Sequence, residues 1–113
     1  MSPITTHVLD TARGGPASGI DIHLRRVAED GTVSDVGQGT TDDDGRVRDL
    51  MAEGSLTPGR YRITFVTGPY LARTAEGGFY PEVVVDFVIS AADEHYHVPL
   101  LLSPFGYSTY RGS

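Results

Sequence analysis

Residues 94–110 read EHYHVPLLLSPFGYSTY, and the period of that stretch decides the fold. Successive side chains of a strand point to opposite sides, so Tyr96, Val98, Leu100 and Leu102 share one face while His95, His97, Pro99 and Leu101 share the other. The first face is apolar enough to be core, and the two histidines therefore point away from it. Ser103-Pro104 interrupts the run, and residues 106–110 resume a strand-like composition. This is a strand, a turn and a returning strand.

The same alternation extends outward along the chain. Ile20, Ile22 and Leu24 alternate with Asp21, His23 and Arg25, and Tyr61, Ile63 and Phe65 alternate with Arg60, Arg62 and Thr64. Residues 5–9 form a first strand that stops at the turn-rich Arg13-Gly14-Gly15-Pro16. Asp30-Gly31 signals a hairpin into a strand over 32–40, and Asp44-Gly45 and Pro58-Gly59 mark further turns. Residues 83–89 are apolar on both faces apart from Asp86, which predicts a strand buried within a sandwich. The single predicted helix covers 70–76 and is closed by Gly77-Gly78, with Pro81 soon after. Seven to eight short strands with one small helix make an all-β, two-sheet β-sandwich, and 113 residues suffice for one domain spanning 1–113.

Composition narrows the function. There is no cysteine, which excludes disulfides, thiolate metal sites and a cysteine nucleophile. Net charge is −6, with acidic residues gathered at Asp42-Asp43-Asp44, and no basic stripe is present for nucleic acid. All nine cations are arginines, so any anion site must be built locally from guanidinium groups. No apolar run reaches the length of a membrane span, and the N-terminal residues carry neither a basic leader nor an apolar stretch. A cytoplasmic address is the resulting expectation.

Four histidines are available for proton transfer near neutral pH. His95 and His97 project from one strand face, His7 shares a face with Thr5 and Leu9, and His23 is expected to face solvent. An i, i+2 histidine pair on a strand can chelate a metal, but the spacing identifies no third ligand, so no metal site is assigned. Arg46 follows the Asp44-Gly45 turn, with Arg48 two residues on. Either is an ordinary solvated charge unless it faces a concave site for a planar anion. The chain offers no Gly-x-Ser-x-Gly elbow, nor a Walker or dinucleotide motif. An aromatic, a cation, a glycine and a hydroxyl crowd positions 110–113, the first of them closing the last strand and the other three lying beyond it.

Several of these stretches resemble one family. Thr6-His7-Val8-Leu9-Asp10-Thr11 with Gly15-Pro16-Ala17 is similar to the opening of the 5-hydroxyisourate hydrolases, the transthyretin-related proteins. Asp44-Gly45-Arg46 resembles their middle motif, Phe79-Tyr80-Pro81-Glu82 the segment after their helix, and residues 97–113 their C-terminal signature. The resemblance implies the transthyretin fold and hydrolysis of 5-hydroxyisourate without metal or organic cofactor. By position it implies catalytic roles for His7, Arg46 and His97, and substrate binding by Tyr110, Arg111, Gly112 and Ser113. It gives His95 no role and leaves open which histidine is the base. It further implies a homotetramer, a dimer of dimers around a channel lined by the strands carrying His97 and Tyr110. A transthyretin-type carrier needs none of these side chains, and a plain structural sandwich leaves the Tyr-Arg-Gly-Ser ending unexplained.

Overall fold

In the computed structural model, which describes residues 2–112, two antiparallel-rich sheets pack face to face. The strands are β1 (Ile4–Asp10), β2 (Gly15–Pro16), β3 (Asp21–Val27), β4 (Val33–Thr40), β5 (Arg46–Val47), β6 (Gly59–Val66), β7 (Val83–Ile89), β8 (Tyr96–Ser103) and β9 (Gly106–Thr109); helix α1 (Gly68–Ala72) separates β6 from β7. One sheet runs β2-β1-β8-β9, with β5 also bonded to β1, and the other runs β4-β3-β6-β7. Of the nine strands among the described residues, β2 and β5 are two-residue pieces; the remaining seven fall within the predicted seven to eight.

The alternation read from the sequence supplies the core. Ile22 and Leu24 of β3 and Tyr61, Ile63 and Phe65 of β6 face Ile4 and Val8 of β1 and Tyr96, Val98, Leu100 and Leu102 of β8. Most of these are fully buried, and each such side chain contributes roughly 1.5–3 kcal/mol of transfer free energy. The pairing of β1 with β8 is parallel and joins residues far apart in the chain: Thr5 lies opposite His97 and His7 opposite Pro99. Thr6 Oγ1 ties the two strands further by donating to the Val98 carbonyl at 2.6 Å. The outward face of this sheet therefore carries Thr5, His7, Leu9, His97, Pro99 and Leu101.

Two expectations are corrected. Strand β7 is an edge strand bonded only to β6, not one buried in the sandwich. Its Val83, Val85, Phe87 and Ile89 face inward, whereas Val84 and Val88 are 48% and 71% exposed. The helix starts two residues before the predicted position and ends four before it. Pro69 in the first turn fixes φ for helix entry, and Thr67 holds that turn by donating Oγ1 to the Tyr80 carbonyl at 2.8 Å. At the other end Thr74 Oγ1 donates to the Leu71 carbonyl at 2.7 Å, so the chain leaves the helix before Gly77, whose φ is +67°. His23 lies on the outer side of β3 and is half-buried there.

Candidate active site

Arg46 reaches the outward face of the β1–β8 sheet through a tightly specified turn. Asp42 Oδ1 accepts from the Asp44 and Arg46 amides at 2.9 and 3.0 Å, while the Gly45 amide donates to the Asp42 carbonyl at 2.8 Å. The Arg46 amide, first among the causes, holds the Asp42 carboxyl below the usual carboxylate range. Gly45 adopts a φ of +76°, and a Cβ there would lie 2.4 Å from the Val8 carbonyl oxygen, so only glycine allows this approach. The turn delivers β5 to β1 in the register His7 opposite Arg46. Cross-strand partners share a face, which sets the guanidinium beside the imidazole. Arg48, two residues on, is instead committed to Asp42 at 3.1 Å. No carboxylate among the described residues lies within ion-pair range of Arg46.

His97 enters from β8. Its Nδ1 is 2.9 Å from Thr5 Oγ1, and the same hydroxyl is 3.1 Å from His95 Nε2. Thr5 itself is only 7% exposed. Burial is the largest cause that lowers the pKa of His97 below 6.5; the positive charge of Arg46 follows, then His7 and His95. His7 is lowered by the same two leading causes, partly opposed by a hydrogen bond to the Asp44 backbone. Both imidazoles are therefore neutral at pH 7, the form that can take a proton. The arrangement can deprotonate water, stabilise an anion at Arg46 and return a proton to a leaving group.

The terminal residues divide. Gly112 bridges to His97, its amide donating to the His97 carbonyl at 2.8 Å in continuation of the β8–β9 register. A Cβ at Gly112 would lie 2.7 Å from His97 Cδ2, so the backbone is seated against the imidazole edge. Arg111 is directed elsewhere: its guanidinium lies 4.4 Å above the Tyr96 ring and pairs with Glu94 at 3.1 Å. Tyr110 is 57% exposed and borders a cleft of about 220 Å³ between β7 and β9, with Val85, Phe87 and Val98. Ser113 lies outside the described residues. Within one chain, then, His7, Arg46, His97 and Gly112 come together, and Arg111 does not join them. A roomier cleft of about 460 Å³, beside α1 and lined by Arg13, Tyr70 and Arg73, is remote from this group.

Sequence reasoning passed over Thr5, because its contact with two histidines spans a parallel strand pair and has no local signature. His95 had a signal in its i, i+2 relation to His97.

The sequence model of the HIUase/transthyretin family matches residues 4–112. The chain is 46% identical over 110 residues to the 5-hydroxyisourate hydrolase of Salmonella typhimurium, covering 97% of this chain and 80% of that protein. It is 44% identical over 118 residues to the 5-hydroxyisourate hydrolase of Caulobacter vibrioides, with both chains covered completely. The crystal structure of transthyretin from Sparus aurata superposes with a TM-score of 0.91 at 29% identity, covering 99% of this chain and 97% of that one. A matching family model over nearly all residues, relatives above 40% identity and a shared two-sheet architecture agree: the chain belongs to the HIUase/transthyretin family.

Proposed function

We propose that the chain hydrolyses 5-hydroxyisourate to 2-oxo-4-hydroxy-4-carboxy-5-ureidoimidazoline, in the breakdown of urate. The observation that carries the reading is the convergence of His7, Arg46 and His97 on one open sheet face, both imidazoles neutral at pH 7. Identity supports it as well, at 46% to a named hydrolase against 29% to a named transthyretin.

The substrate is a planar oxidised purine whose six-membered ring opens at an amide-type C–N bond. One neutral histidine takes a proton from water as the oxygen adds to the ring carbonyl carbon. Arg46 stabilises the resulting oxyanion with paired N–H donors. The C–N bond then breaks, and an imidazole returns the proton to the departing nitrogen. Gly112 keeps the chain beside His97 free of a Cβ that would obstruct the ring. Tyr110, Arg111 and Ser113 are proposed to bind substrate; Arg111, held by Tyr96 and Glu94, would have to do so against another copy or after release. The chemistry calls for no cofactor.

The active assembly is proposed to be a homotetramer. Support comes from the openness of the site face, the unpaired outer edges of β7 and β9, and exposed Val84, Val88 and Tyr107. No helix among the described residues is long and apolar enough to cross a membrane, and a cytoplasmic compartment is proposed. The deciding experiment follows the ultraviolet decay of freshly generated 5-hydroxyisourate with and without protein. Acceleration in proportion to protein concentration is expected; decay at the spontaneous rate overturns the activity.

A further inference from the structure

Among the described residues the Thr5 hydroxyl lies within hydrogen-bond distance of two imidazoles, and hydroxyl chemistry restricts what it can do there. It has one proton and two lone pairs, so it donates to at most one of the two ring nitrogens, and the other ring must then donate to it. Two arrangements make it a bridge from one ring to the other. If Thr5 donates to His97 Nδ1, the His97 proton sits on Nε2 and the outward nitrogen has no lone pair for water. If Thr5 donates to His95 Nε2, His97 Nδ1–H donates to Thr5 Oγ1 and Nε2 is free to act as a base.

We propose that Thr5 is a positioning residue that holds His97 in the Nδ1–H tautomer and connects it to His95, so that His97 Nε2 serves as the base and His95 as an outlet for its proton. This rests on the hydrolase reading above and assigns the role of base between the two histidines. As water adds to substrate, an O–H bond breaks and an Nε2–H bond forms on His97. The cation so produced is half-buried and lies close to Arg46, and both the burial and the guanidinium oppose it. The His97 Nδ1–H proton passes to Thr5 Oγ1 while the Thr5 proton passes to His95 Nε2. His97 is again neutral, now with its proton on Nε2, and the positive charge resides on exposed His95. When the ring nitrogen leaves, it takes the Nε2 proton and the relay runs backward from His95 to His97 Nδ1. No proton is gained or lost over the cycle, and the charge never has to remain beside the guanidinium.

The test uses the full-length protein and four variants. Nitrogen-15 NMR of the imidazoles reports the tautomer directly: the wild type is expected to show His97 Nδ1 protonated, and Thr5→Val to lose that preference. Thr5→Val should lower kcat by roughly 10–100-fold with KM little changed, the range for losing the partner that orients a histidine. Thr5→Ser, which keeps the hydroxyl, should restore most of the rate. His95→Ala should be slow in dilute buffer and recover when imidazole is added, while His97→Ala should be slow in both. Thr5→Val with the wild-type tautomer and rate overturns the bridge, as does Thr5→Ser no faster than Thr5→Val when both are folded. Full turnover by His95→Ala in dilute buffer, without response to imidazole, overturns the outlet. A wild-type protein with no hydrolase activity overturns the functional reading instead, and the tautomer measurement still decides whether Thr5 sets His97.

Discussion

At the scale of single residues the proposed site depends on keeping two imidazoles uncharged beside a permanent cation. His97→Ala removes a proton-transfer group and should lower kcat by about 10²–10⁴-fold. Burial and Arg46 both depress the pKa of His7 and His97, so the base form persists below pH 6.5 and is lost only as pH falls through the lowered values. The acid limb of kcat/KM should therefore lie below 6.5. In Arg46→Gln, the residual activity should show that limb displaced upward but not fully to 6.5, because burial, the larger cause, remains. A limb displaced downward would mean that Arg46 does not act on these rings. Gly112 gives an independent steric check. Its missing Cβ would sit 2.7 Å from His97 Cδ2, so Gly112→Ala must move either the imidazole or the terminal backbone. The expected outcome is a kcat reduced at least tenfold, as small displacements in a reacting geometry commonly are, with unchanged circular dichroism. Wild-type turnover in that variant would show that the terminal bridge is irrelevant to His97.

At the scale of elements, what is legible in the sequence is what repeats with a local period. β3, β6 and β8 announce themselves because polar and apolar residues alternate, and the resulting face assignment already directs His97 out of the core. The turn at Asp44-Gly45 is legible for the same local reason. Pairing is not. Nothing near Arg46 says that its two-residue strand lies on β1 opposite His7, and nothing near Thr5 says that it faces His97 from a parallel neighbour. Strand β7 departs from its expected burial because period alone does not separate a strand buried on both faces from an edge strand with an apolar outer surface. What fastens that edge is partly ionic. Asp86 of β7 accepts from Arg62 Nε at 2.6 Å and also pairs with Arg60, both on β6. Hydrogen bonds from Arg62 and then Arg60, against an opposing desolvation, bring its carboxyl down to about 2. A depressed carboxyl stabilises the fold above its unfolded value of 3.8 and loses that contribution as pH falls through about 2. With the carboxylate about a third exposed, solvent screening reduces the effect to on the order of 1 kcal/mol. Asp86→Asn should thus lower urea stability by about that much at pH 7, and the difference from wild type should shrink as pH falls toward 2. A difference that stays constant across that range would place the effect in packing rather than charge.

At the scale of the whole molecule, the chemistry sits on an outer sheet face rather than in a cavity, and that placement links activity to assembly. The chain measures 41 × 28 × 20 Å, and the proposed catalytic residues His7, Arg46 and His97 are spread across strands of one sheet, on its outward face. A planar substrate bound there by one copy alone keeps one face in water, which weakens the hold of Arg46 on an oxyanion and leaves the nucleophile unconfined. Cover from a second copy changes both. It raises the effective strength of the guanidinium, and it deepens the burial that is already the main cause of the lowered histidine pKa values. Sedimentation should therefore show assemblies larger than the monomer, and specific activity should fall on dilution in step with their dissociation. The pH profile adds a sign that simple inactivation does not reproduce. As copies separate, the site becomes better solvated, so the acid limb of the remaining activity should rise toward 6.5 while kcat falls. A separated monomer with full turnover and an unmoved acid limb would show that one open face suffices and that assembly serves stability alone.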